Sequence, residues 1–153
     1  VSAMPEPLYL EDIFVDRRFH AGPVEVTTEE IKAFATKFDP QPFHLDETAA
    51  TSSLFGELVA SGWHTASLTM RLLTECAPFA GGLIGVGGKV EWLRPVRPGD
   101  LLSVEATILR ISPSKSRDDR GMIKMRVVTA NQRGEPVQRL DANVLAFRRP
   151  ASD

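Results

Sequence analysis

From Leu101 to Ile111, apolar side chains fall on every second residue: Leu102, Val104, Ala106 and Ile108, with Ser103, Glu105 and Thr107 between them. A period of two places one set on a single face of a sheet, so the stretch reads as a half-buried strand. Three further stretches read as strands: Leu83 to Leu93, Met122 to Ala130, and Pro136 to Phe147. Turn signals separate them, in the Pro- and Gly-rich run Arg94 to Asp100, the polar loop Ser112 to Arg120, and Asn131 to Glu135 with Gly134. Upstream the period changes. Ile31, Phe34 and Ala35 recur at helical spacing, and so do Trp63, Ala66, Ser67, Met70, Leu73 and Cys76. Leu68 and Leu72 add apolar bulk on another side, so the helix predicted from Gly62 to Cys76 reads as one wrapped by other structure.

Local chemistry sharpens the boundaries. Arg18 to Val26 suits a first strand. Thr27 is a candidate N-cap with Glu30 three residues on, which makes a capping box, and Val26 and Ile31 occupy the staple positions around it. That helix should stop near Phe38, because Pro40 pushes Asp39 out of the α region. Asp39-Pro40-Gln41-Pro42-Phe43-His44 then reads as a stiff, non-helical connector, with Asp46 capping a short helix from Glu47 to Ser52 and a loop from Leu54 to Ser61. Residues 1–16, with Pro5 and Pro7, read as a lead-in, and residues 17–150 as a single domain. Strand, helices, then four long strands around one central helix predict an α+β layer in which a curled antiparallel sheet wraps that helix.

Composition narrows the class. The 153 residues suffice for one core, and the single cysteine, Cys76, excludes an internal disulfide and a multi-cysteine metal site. A reduced, cytoplasmic setting is expected. A net charge of −2 does not suit a nucleic-acid binder, no apolar run reaches membrane-span length, and Val1 to Leu10 does not read as a signal peptide.

No nucleophile elbow, zinc-protease motif or dinucleotide fingerprint is present. Gly85-Val86-Gly87-Gly88-Lys89 fails the phosphate-loop pattern, and glycines in a strand permit close approach of a helix or of a ligand. The informative pair is Asp39 and His44, five residues apart on a connector stiffened by two prolines. A carboxylate and an imidazole converging on one water can polarise it and shuttle its proton. The plain alternative is a turn aspartate and a satisfied histidine. Ser61-Gly62 at the start of the long helix offers a second pair of readings. Gly62 lets a carbonyl oxygen approach a free N–H at the positive end of the helix, as an oxyanion hole requires, or Ser61 simply caps the helix and Gly62 permits the turn.

These residues carry a resemblance. Asp39-Pro40-Gln41-Pro42-Phe43-His44-Leu45-Asp46 resembles the D-x-N-P-x-H-x-D signature of MaoC-like dehydratases, which include (R)-specific enoyl-CoA hydratases. Phe55-Gly56 followed by Leu58-Val59-Ala60-Ser61-Gly62 resembles the family's F-G-x-x-[IL]-[VA]-H-G stretch, and Leu93 to Asp100 its K-P-V-x-P-G-D turn. The similarity runs from about Val26 to Phe147. It implies a hot-dog fold, a homodimer or higher oligomer, and reversible, (R)-specific hydration of a trans-2-enoyl thioester of CoA or acyl-carrier protein. It implies that Asp39 and His44 are catalytic and that the Gly62 amide polarises the thioester. Gln41, Phe43, Ser61, Trp63, His64, Gly87 and Gly88 are expected to contact substrate. No metal and no cofactor beyond the CoA of the substrate are implied. Gln41 stands where the family usually has Asn, and Ser61 where the hydratases commonly have His.

Other residues carry two readings each. His64 lines the pocket or has surface or packing duty, and Trp63 and Trp92 wall an acyl tunnel or fill the core. Ser114-Lys115-Ser116-Arg117 meets CoA phosphates or is a solvated turn. Cys76 reads as core and His20 as an exposed strand residue. A hot-dog thioesterase is the competing activity, disfavoured because Gly62 to Thr74 contains no acid. A non-catalytic acyl-thioester-binding subunit is the third reading, disfavoured because both Asp39 and His44 are present.

Overall fold

A computed structural model describes residues 5–151. Five antiparallel strands form one sheet: β1 (Arg18–Glu25), β2 (Ile84–Trp92), β3 (Leu101–Pro113), β4 (Arg120–Ala130) and β5 (Pro136–Phe147), in the order β1-β3-β4-β5-β2. Four helices precede β2: α1 (Thr28–Phe38), α2 (Pro42–Leu45), α3 (Glu47–Thr51) and α4 (Gly62–Cys76). This long helix against an antiparallel sheet is the α+β hot-dog fold.

The alternation in β3 does what its period predicts. Leu102, Val104, Ala106 and Ile108 are all buried, and the last three join Ile123, Met125 and Val127 of β4 against Leu72 and Leu73 of α4. Burying each such side chain contributes about 1.5–3 kcal/mol. A second cluster forms beneath the shorter helices from Val26, Ile31, Ala50, Leu58, Val96, Leu102 and Val137. The Thr27 hydroxyl caps α1 by accepting from the Glu30 N–H at 3.1 Å, and Val26 and Ile31 are wholly buried at the staple positions.

Two details depart from the sequence reading, and a third adds to it. The connector after Asp39 is not wholly non-helical, since Pro42 to Leu45 make one α turn. Pro42 sits at its first position, where a fixed φ suits a helix and the missing N–H costs nothing. The lead-in contributes to the core. Its residues 1–4 lie outside the described segment, but a 3-10 turn at Leu10–Asp12 buries Leu10 and Ile13 in the main core, because the lead-in itself carries apolar side chains. Finally, α4 is covered on one side only: Thr65, Thr69, Leu72 and Leu73 face inward while Trp63 and Met70 are 58% and 42% exposed.

Among the described residues no helix is long and apolar enough to cross a membrane. Cys76 packs against the main core, and burial pushes its thiol above the ordinary range, as suits a structural side chain. His20 is exposed on β1, as expected.

Candidate active site

The site forms where α2 meets the first turn of α4. Two backbone braces hold the loop between them: the Val59 N–H donates to the Phe43 carbonyl at 3.1 Å, and the Ala60 N–H donates to the Val96 carbonyl at 2.8 Å. Val96 is presented by the turn after β2. Buried Asp100 closes that turn by accepting from the Arg97 N–H and from Gln132.

The His44 ring is buried, and its Nδ1 lies 2.6 Å from the Val59 carbonyl oxygen. A carbonyl only accepts, so Nδ1 carries the proton and Nε2 is the nitrogen free to exchange one. Nε2 faces Asp39 Oδ2 at 3.4 Å. The carboxylate is held from two other sides. Gln41 Nε2 donates to Oδ1 at 2.5 Å, and the Ser61 hydroxyl donates to Oδ2 at 2.6 Å. Burial pushes the Asp39 carboxyl up, but the hydrogen bonds from Ser61 and Gln41, aided by the His44 ring, outweigh it and hold the group below the usual carboxylate range.

Beside this pair opens a cavity of about 430 Å³, within the range of small-molecule sites. Of the residues expected to act on or contact substrate, Asp39, Gln41, Phe43, His44, Gly62 and Trp63 line it. Phe55, Val59, Ala60, Thr65 and Trp92 complete the inner wall, and Leu93, Arg94 and Pro95 the rim. The Ser61 carbonyl accepts from the His64 and Thr65 N–H groups and its hydroxyl accepts from Trp63 at 3.2 Å. The Gly62 N–H is left as the first-turn donor without an acceptor among the described residues. One face of Gly62 is not open, however. A Cβ there would lie 2.5 Å from the Trp92 ring, so the glycine also lets the indole pack flush against α4.

Four residues expected at the substrate do not line the cavity of this chain. Ser61 is fully buried one layer behind it, because its hydroxyl is engaged by Asp39 and the helix. His64 turns the other way and stacks on Phe34, with ring centroids 4.9 Å apart and planes 7° apart. Its Nδ1 is buried without a hydrogen-bond partner among the described residues. Burial pulls its pKa below the ordinary 6.5, with Glu30 opposing and His44 adding to the shift. Gly87 and Gly88 lie on the exposed edge strand β2. Gly87 has φ +152° at a bulge, and a Cβ on Gly88 would collide with the Asp141 carbonyl of β5. Their close neighbour is a strand. The loop Ser114 to Arg117 joins the far ends of β3 and β4, about 30 Å along the sheet from Trp92.

The sequence reading missed a buried polar chain behind the cavity. Trp92 Nε1–H donates to Gln138 Oε1 at 3.0 Å, and Gln138 Nε2 donates to the Thr69 hydroxyl at 3.0 Å. Thr69 in turn sits 2.6 Å from the Thr129 hydroxyl. Gln138, Thr69 and Thr129 are essentially inaccessible to solvent. The network fixes the indole that walls the site, and Trp63 packs edge-on against it at 4.9 Å and 81°.

Comparison with known proteins identifies the family. The family model for a MaoC like domain matches residues 14–132. A crystal structure of a MaoC-like dehydratase from Rhodospirillum rubrum is similar at a TM-score of 0.92 and 57% identity, covering 94% of this chain and 99% of that one. YdeM of Bacillus subtilis, an uncharacterised protein, is 29% identical over 142 residues, covering 91% of this chain and 99% of the relative. A 3-hydroxybutyryl-CoA dehydratase of Methylorubrum extorquens is 29% identical over 111 residues, covering 72% and 69%.

Proposed function

This chain belongs to the MaoC-like domain family, and from that premise we propose that it is a hydro-lyase that reversibly adds water to a trans-2-enoyl thioester to give the (R)-3-hydroxyacyl product. One observation carries the reading: Asp39 Oδ2 and the proton-exchanging His44 Nε2 face each other at 3.4 Å on the wall of an apolar cavity whose other wall ends at the Gly62 N–H, unpaired among the described residues.

The thioester carbonyl accepts from Gly62, placing Cβ beside a water held between Asp39 and His44. Asp39, kept ionised by Gln41 and Ser61, orients that water and stabilises the imidazolium. His44 Nε2 takes the water proton as oxygen bonds to Cβ, then delivers a proton to Cα as the enolate collapses. Negative charge on the thioester oxygen is met by the Gly62 N–H and the positive end of α4. In dehydration the same groups act in reverse, with Nε2 taking the Cα proton and returning it to the departing hydroxyl.

The reading includes a homodimer formed through β2 and α4. β2 is an edge strand with exposed Ile84 and Val86, and Trp63 and Met70 of α4 are exposed as well. Such an apolar edge invites a second copy. The thioester carrier is CoA or acyl-carrier protein, and the setting is cytoplasmic.

Incubation with enoyl-CoA substrates from crotonyl upward tests the assignment. Loss of enoyl absorbance without release of free thiol, giving the (R)-alcohol, is expected. Thiol release would indicate a thioesterase, and binding without turnover a non-catalytic subunit.

A further inference from the structure

We propose that Ser61 is a positioning residue, wired by its buried hydroxyl between the Asp39 carboxylate and the first turn of α4, so that the carboxylate and the Gly62 amide share one rigid frame. This rests on the functional reading above, to which it adds a role for a side chain that does not line the cavity.

The wiring follows from the inventory of a hydroxyl group. Ser61 has one proton and two lone pairs. An ionised carboxylate only accepts, so the proton points to Asp39 Oδ2 at 2.6 Å, and a lone pair receives the Trp63 N–H at 3.2 Å. Ser61 is wholly buried, so water does not compete for either bond. Asp39 accepts one protein donor on each oxygen, from Gln41 on Oδ1 and Ser61 on Oδ2. Rotation about its terminal torsion would break both. The open side of Oδ2 is thereby held toward His44 Nε2, where the water is needed. The same serine hydroxyl caps the helix whose next residue is Gly62, so a shift of the carboxylate is also a shift of the oxyanion donor.

Ser61 also sets which form of Asp39 is populated, because a donor to a carboxylate favours its ionised state. The other titratable or charged groups around the pair are few. His44 faces Asp39 from α2, His64 of α4 lies near His44, Glu30 of α1 lies near His64, and Arg94 stands on the cavity rim. None of these is changed by removing the serine hydroxyl.

The test is Ser61→Gly, which retains most N-cap competence without adding bulk to a closed site, alongside Ser61→Thr, which restores a hydroxyl. Thermal melts confirm that each variant is folded. In Ser61→Gly, carboxyl-carbon NMR is expected to show Asp39 titrating at higher pH than in the wild type. Kinetics on an enoyl-CoA substrate are expected to show kcat lowered about 10- to 100-fold, KM nearly unchanged, and the acid limb of the kcat profile moved to higher pH. Ser61→Thr is expected to recover these toward wild type. An unchanged Asp39 titration in folded Ser61→Gly overturns the proposal whether or not the protein is active. An unchanged kcat and acid limb, in an enzyme that Asp39→Asn inactivates, overturns it too. A raised titration in a protein that hydrates no enoyl thioester would keep the wiring and overturn the functional reading instead.

Discussion

Gly62→Ala sets two effects of opposite sign against each other. Alanine in the first turn of a helix, at a position with an ordinary backbone, would stabilise by about 0.4–1 kcal/mol through the unfolded chain. The structure puts an obstacle in the way. The new Cβ would stand 2.5, 2.6 and 2.9 Å from three atoms of the Trp92 indole, closer than real contacts allow. The ring must shift to relieve these contacts. That breaks the Nε1–H bond to Gln138 and strands Gln138 Oε1 in a closed site, a loss of about 1–3 kcal/mol. It also loosens the edge-on pair with Trp63, worth about 0.5–1.5 kcal/mol. The net expectation is a destabilisation of about 2 kcal/mol, or roughly 4–8 °C in Tm for a chain of this size. The chain's two tryptophans are the two at this site, so fluorescence-detected urea and thermal unfolding read both the ring movement and the stability loss. In a Trp92→Ala background the sign should reverse, with Gly62→Ala stabilising by about 0.4–1 kcal/mol. A rise in Tm for Gly62→Ala in the wild-type background would refute the packing argument.

Two further expectations concern groups behind the cavity. His64 has its pKa held below 6.5 by burial, so the unfolded chain binds its proton more readily, and stability must fall as pH drops below about 6.5 toward the folded value. His64→Phe, which keeps the stack on Phe34, should flatten that part of the stability–pH curve, measured by urea midpoints at successive pH values; an unchanged slope would show that His64 does not contribute. Gln138→Leu should cost about 1–3 kcal/mol in urea unfolding and raise the KM for enoyl substrate, because Trp92 loses its acceptor. Its kcat–pH profile should not move, since neither Asp39 nor His44 is touched.

Much of the fold was legible because each level of the sequence agreed with the next. The caps at Thr27, Asp46 and Ser61, the period of two in β3 and the period of 3.6 in α4 marked elements that the structure places within a residue or two. Pro42 was misread because proline breaks a helix interior yet starts a helix well, and only its position in the turn decides between the two. The convergence of Asp39 and His44 was suggested by their stiff connector, but the brace that sets the histidine tautomer is a main-chain carbonyl, Val59, and carbonyls leave no mark in sequence. Gln138 looked like an ordinary strand residue, because nothing local says that the other end of its amide meets a helix hydroxyl. Ser61, His64, Gly87 and Gly88 share that limit. A residue beside a motif residue in sequence can turn behind the site, as Ser61 and His64 do, and strand glycines can serve a neighbouring strand.

The shared-water arrangement is tested most directly by the hydration rate of an enoyl-CoA in Asp39→Asn and His44→Asn. Both changes respect the local bonding. In the first, the new amide oxygen still accepts from Ser61 while exposed Gln41 can turn its own amide. In the second, the new amide nitrogen can replace the ring Nδ1 against the Val59 carbonyl. Each variant is therefore expected to melt near the wild type while losing about 10²–10⁴-fold in kcat. Folded variants that hydrate the substrate at near-normal rates would contradict the account.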